Sequence, residues 1–208
     1  MLNSVQKFVI LVVPVLSAIT FHEFAHGYVA YLFGDPTAKN AGRLTLNPIK
    51  HIDPIGMIAL FLVKVGWARP VPINPTFFFN KRLGLFFVAL AGPMVNFLLA
   101  LFFAGAFRVL FTIEPHSFGV YSLLKPLLYI CEAGVLINIG FGIFNLLPVP
   151  PLDGSNIIIS FLPDEIAQFY FKIGKFGFLI LIILFFTGTI QKLILPLIYK
   201  FTFILLPM

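Results

Sequence analysis

Long apolar runs separated by short polar stretches set the plan of this chain. Residues 8–33, 83–111 and 123–147 are each long enough to cross a hydrocarbon layer about 30 Å thick as a helix rising about 1.5 Å per residue. The first helix is expected to stop at Gly34-Asp35-Pro36-Thr37, where glycine permits a left-handed cap and proline cannot continue the helix. Residues 155–162 restart as a short helix after a proline-rich break. Residues 169–189 make a fourth span if Lys172 and Lys175 snorkel, and residues 193–206, with Pro196 and Lys200 inside, make either a short fifth span or an interfacial helix. Between the first two spans the pattern is mixed. Residues 55–65 are apolar but too few to cross, which predicts a re-entrant, interfacial or buried helix. Residues 41–48 alternate weakly and read as a short strand, and Val71-Pro72-Ile73-Asn74-Pro75 reads as a second extended piece that its prolines confine to a sheet edge. The expected fold class is an all-α polytopic membrane protein: a three-helix core, one or two C-terminal membrane helices, a short re-entrant or interfacial helix, and a small β element after the first span.

Composition agrees with the pattern. Of 208 residues, 60% are hydrophobic and 11% charged, more apolar surface than a soluble domain of this length could bury. One domain is expected over residues 1–208, with the core at 8–162 and the C-terminal helices at 163–208. The net charge of +6 is scattered through loops rather than gathered into a basic stripe, so no nucleic-acid partner is expected. It reports topology instead. Lys39, Arg43, Lys50, Lys64, Arg69, Lys81 and Arg82 face only Asp35 and Asp53 in the first loop, which places that loop in the cytoplasm and the N-terminus outside. The first run is too long for the core of a signal peptide, so no cleavage is expected. A single cysteine, Cys131, excludes an internal disulfide and reads as a packing residue.

The chemistry lies where ionisable groups are costly. His22-Glu23-Phe24-Ala25-His26 interrupts the first apolar run. Two histidines four positions apart share one helix face and can hold a zinc ion, with Glu23 beside them as general base for a water molecule. Ionisable side chains at membrane depth are functional by default. Asn96 follows Gly92-Pro93 inside the second span and is expected to make an interhelical hydrogen bond, with a supporting role behind the metal as the alternative. The third span ends in Asn145-Leu146-Leu147-Pro148-Val149-Pro150-Pro151-Leu152-Asp153-Gly154, and broken backbone of this kind is tolerated at membrane depth where it lines a cavity.

A catalytic zinc takes three protein ligands and keeps one position open. Asp35, His51, Cys131, Asp53, Glu114, His116, Glu132 and Asp153 are the candidates for the third. If the first span runs inward, the third span also runs inward, and Asp153 emerges on the side of the histidines, whereas Glu114, His116 and Glu132 lie on the far side. Asp35, His51 and Asp53 are on the near side, in the polar loop. Topology therefore favours Asp153 while leaving those three open. The same parity requires that residues 55–65 do not cross.

These motifs resemble the site-2 protease family of intramembrane zinc metalloproteases, over most of the chain from Phe8 to about Leu162. His22-Glu23-Phe24-Ala25-His26 is similar to that family's first motif, and Asn145-Leu146-Leu147-Pro148 through Leu152-Asp153-Gly154 to its second. Residues 46–56 and 66–74 look like segments of its small bacterial-type subgroup, which lacks an appended domain. The resemblance implies one zinc ion per chain bound by His22, His26 and Asp153, with Glu23 activating the water and Asn145 polarising the scissile carbonyl. His51 is weighed equally as a supporting residue and a solvated loop residue, and Val71, Pro72, Ile73 and Asn74 as a strand that could hold an extended substrate. The implied activity is hydrolysis of peptide bonds in or near transmembrane segments of membrane-protein substrates, in a prokaryotic cell membrane, with the site towards the cytoplasm. The alternatives are a metal or proton transporter using the same buried groups, or an inactive adaptor that binds a membrane helix.

Overall fold

The structure is a computed structural model that describes residues 4–56, 67–115 and 117–206. The helices are α1 (Ser4–Leu32), α2 (Thr37–Asn40), α3 (Lys81–Phe111), α4 (Phe118–Asn145), α5 (Asp153–Phe161), α6 (Asp164–Gly174), α7 (Gly177–Phe186) and α8 (Thr189–Leu205). Three of them, α1, α3 and α4, are long and apolar enough to cross a membrane, which marks a membrane protein. Their ends follow local chemistry. Asn80 caps α3 by accepting from the Leu83 N–H, and Ser117 does the same for α4 at Val120. Gly34, at a φ of 101°, ends α1 in the left-handed region as expected.

The core is an α1–α3–α4 bundle, and α3 also packs along α5, so it touches every element that carries a site residue. One apolar cluster joins Ala100, Phe103 and Ala104 of α3 to Cys131, Val135 and Ile139 of α4 and to Leu206, confirming Cys131 as packing. The small residues of α4 make room for rings: a Cβ on Gly134 would lie 2.4 Å from Phe103, and one on Gly142 would lie 2.8 Å from Phe97.

One expectation is corrected and another is refined. The β element is not present among the described residues, where Ile52 and Ala68 form an isolated antiparallel bridge. The physical reason is a shortage of ladder donors. Prolines at 70, 72 and 75 have no N–H, and residues 41–48 turn at Gly42 (φ 64°) into a 3-10 turn capped by the Asn47 side chain. The fourth span is not one straight helix. α6 and α7 meet at a bend of 62°, beginning at Asp164 rather than Phe169. The segment 55–65 lies almost entirely outside the described residues.

Candidate metal centre

Two local devices deliver the three candidate ligands. His22 and His26 project from one face of α1, both buried. Asp153 opens α5 immediately after the break. The N–H of Leu146 closes onto Gly142 and Ile143, Leu152 N–H turns back to Val149, and the Ser155 hydroxyl donates to the Leu152 carbonyl at 2.6 Å. Gly154 allows the tight approach: a Cβ there would stand 2.2 Å from the Leu146 carbonyl oxygen. The bend between α6 and α7 backs the same loop, with the Tyr170 hydroxyl donating to Pro148 and Gly177 packed on the Pro150 carbonyl.

The three groups converge. His22 Nε2 and His26 Nε2 are 3.0 Å apart, and Asp153 Oδ2 lies 3.1 Å from the first and 3.3 Å from the second. A tetrahedral zinc with bonds of about 2.0–2.1 Å spaces its ligands about 3.3 Å apart, so the triangle has the size that zinc needs. The protonation pattern points the same way. His26 Nδ1 donates to the Val88 carbonyl at 2.7 Å, and a carbonyl only accepts. His22 Nδ1 sits 2.6 Å from Asn96 Oδ1, while the Asn96 amide nitrogen donates to the Ala18 carbonyl and to Asn138 Oδ1, each at 3.1 Å. With both Nδ1 positions carrying the hydrogen, both Nε2 atoms present lone pairs to each other and to a carboxylate. Asp153 Oδ2 is buried and has no hydrogen-bond partner. Three converging acceptors in one buried pocket fit a cation. Among the described residues this is the group of His, Cys, Asp and Glu able to hold a metal.

The surroundings are shaped around the imidazoles. A Cβ on Gly92 would stand 2.5 Å from His22 Cε1 and 2.5 Å from His26 Nε2, so α3 lays bare backbone against the ligand edges. Pro93 lacks the N–H that would bond to Ala89 and its ring crowds that turn, and within the same turn the Val88 carbonyl takes His26. Glu23, half-buried, accepts the Val71 backbone N–H on Oε2 at 2.8 Å.

The other expected residues fall as follows. Asn96, fully buried, stands behind His22 and orients it. Asn145 ends α4, and one of its amide hydrogens goes to the Phe141 carbonyl at 3.0 Å. His51 is fully buried rather than solvated, and its Nε2 donates to the Thr45 carbonyl at 2.8 Å, so it pins the first loop instead of joining the ligands. Asp35 is likewise taken up by the loop, accepting from Thr37 and from the Asn74 N–H. Val71, Pro72, Ile73 and Asn74 lie in a stretch with no regular secondary structure, with Val71 buried. Sequence reasoning missed the part of Asn138, which holds Asn96, and of Gly92; the signal for both was a polar or bare position inside an apolar span.

Comparison with known proteins decides the kinship. The Bacillus subtilis (strain 168) protein named "Putative zinc metalloprotease YwhC" is 42% identical over 180 residues, which are 85% of this chain and 80% of that protein. This chain belongs to its family. "Putative zinc metalloprotease Rip2" of Mycobacterium tuberculosis (strain ATCC 25618 / H37Rv) is 30% identical over 190 residues, covering 88% of this chain and 69% of that one. Its namesake from Mycolicibacterium smegmatis (strain ATCC 700084 / mc(2)155) is 28% identical over 206 residues, covering 96% and 75%. No family model and no solved structure matches the chain. The family's printed names agree with the donor set: two imidazoles and a carboxylate, with a glutamate between the histidines.

Proposed function

We propose that this protein is an intramembrane endopeptidase of the site-2 protease type, cutting membrane-protein substrates within or near their transmembrane segments. The observation that carries the reading is the buried His22–His26–Asp153 triangle in a bundle of apolar spans, with Glu23 on the same helix. The names of the relatives support the zinc protease part. One zinc ion held by these three residues would supply a Lewis acid that polarises a carbonyl and lets water act as a nucleophile near neutral pH.

The chain's own residues supply the rest. Glu23 keeps Oε1 free of the Val71 bond and takes the water proton there, then delivers it to the leaving amine. Asn145 has a second amide hydrogen to offer to the scissile carbonyl oxygen. The N–H groups of Val71 and Asn74 are turned to Glu23 and Asp35, and Pro72 has none, so an extended substrate would pair with the carbonyls and the Ile73 N–H of this stretch. A substrate helix must unwind to expose its carbonyl. The basic first loop supports a site facing the cytoplasm, and the bacterial sources of the relatives support a prokaryotic cell membrane.

Glu23→Gln tests the reading. The variant is expected to retain one zinc per chain and to lose cleavage, and membrane-protein fragments present in cells carrying wild type should vanish in cells carrying Glu23→Ala. Equal fragment patterns in the two cell lines would refute it.

A further inference from the structure

We infer that Pro70-Val71-Pro72 is a brace that fixes the Glu23 carboxylate, and that Arg43 is the positioning residue that holds the brace. Glu23 and Val71 are 48 positions apart in sequence, yet the Val71 N–H meets Glu23 Oε2 at 2.8 Å. Proline has no N–H, so Val71 supplies the single backbone donor of this tripeptide, and the proline rings restrict the backbone that aims it. Val71 itself is buried against α1: a Cβ on Gly27, one turn beyond Glu23, would lie 3.1 Å from Val71 Cγ1.

The brace is pinned on both sides. Towards its C-terminus, the Asn74 N–H donates to Asp35 Oδ2 at 2.7 Å. Towards its N-terminus, the Arg69 N–H donates to the His51 carbonyl at 2.9 Å, and the Arg69 carbonyl accepts from Arg43 Nη2 at 2.7 Å. These anchors are interior groups: Asp35 and His51 are fully buried and Arg43 is 9% exposed. A buried guanidinium is costly, and Arg43 Nε has no partner. Burial and then the like charge of Arg69 lower the Arg43 pKa from its ordinary value, whereas Glu23 raises it. Arg43 thus acts on the base through the Arg69 carbonyl, two residues from Val71. A glutamate has several free rotors, and occupying Oε2 leaves one oxygen, Oε1, in a defined place to accept a proton.

The kinetic arm rests on the role given to Glu23 above; the first measurement does not. Because the flanking prolines contribute no amide, hydrogen exchange over the tripeptide reports Val71 alone. In the detergent-solubilised, zinc-loaded protein, Glu23→Ala and Arg43→Ala are each expected to speed Val71 exchange tenfold or more, and Arg43→Lys, which keeps a donor, to recover most of the protection. Unchanged exchange in both alanine variants overturns the brace. For the kinetic arm, Val71 is replaced by its α-hydroxy acid analogue, which exchanges N–H for an ester oxygen and keeps the side chain. The expected result is a kcat lowered about tenfold or more, with KM and zinc content unchanged. A rise in KM with kcat intact overturns the proposal, since the segment would then serve substrate alone. If Glu23→Ala cleaves as wild type does, the functional reading fails instead, and the exchange measurement still decides whether the brace exists.

Discussion

Gly92→Ala adds one methyl group against the edges of both imidazoles. The new Cβ would stand 2.5 Å from His26 Nε2 and 2.5 Å from His22 Cε1, where ordinary contact needs 3.4 Å or more. Either the imidazoles retreat or α3 moves away from α1, by about 1 Å in sum. α3 is held to α1 by the Asn96–His22 and Val88–His26 hydrogen bonds, so a backward shift of the helix pulls on the same two rings. Zinc bonds tolerate about ±0.2 Å, several times less than this displacement. Zinc affinity is therefore expected to fall by at least the tenfold to hundredfold seen when a supporting group of a metal site is lost, with overpacking adding about 1–3 kcal/mol of destabilisation. The assay is competition of the purified protein against a chelator of known affinity, with thermal unfolding measured in parallel. Gly105 gives a matched control on the same helix: nothing lies within 4 Å of a Cβ there, so Gly105→Ala should leave zinc binding unchanged. Zinc affinity in Gly92→Ala within about threefold of wild type would refute the close packing of α3 on the ligands.

Asn96→Leu removes the acceptor that fixes the His22 ring and is expected to weaken zinc binding by about tenfold to hundredfold; wild-type affinity would show that the bond does not orient the ligand. Asn138→Ala leaves the Asn96 amide one acceptor short, so about 1–3 kcal/mol of stability should be lost with a smaller change in metal affinity, read from thermal unfolding with and without zinc. Asp164→Asn breaks the Arg82–Asp164 ion pair, whose side chains are 59% and 86% exposed, and should change stability by less than about 1 kcal/mol; a larger loss would mean that this pair anchors α6.

The ligand set was legible because it is local chemistry set against a hostile background. Two histidines at helical spacing and an aspartate after a triple-proline break stand out in hydrocarbon-like sequence, and counting membrane crossings put Asp153 on the side of the histidines while leaving Asp35, His51 and Asp53 open. The first loop was less legible. Alternation at 41–48 and extension at 71–75 looked like strands, but a ladder needs N–H donors in sequence, and here prolines remove some while Glu23 and Asp35 claim others. His51 gave no sign of its burial, since a loop histidine looks the same whether it is solvated or bonded to the Thr45 carbonyl. The bend at Gly174–Gly177 was hidden inside an apolar run, and Gly177 matters there because the Pro150 carbonyl lies against it.

The candidate ligands stand at positions 22, 26 and 153, and this order has a consequence for how the protein is made. While the chain is synthesised, the first helix enters the membrane carrying two histidines and a glutamate, with no carboxylate to close the ligand triangle. A complete centre cannot exist until the second and third spans are in place and the break after Asn145 has carried Asp153 back to the start of the chain. If the proposed function holds, folding and arming are one event, and the last ligand to arrive works as a safety catch on a hydrolase inserted among other membrane helices.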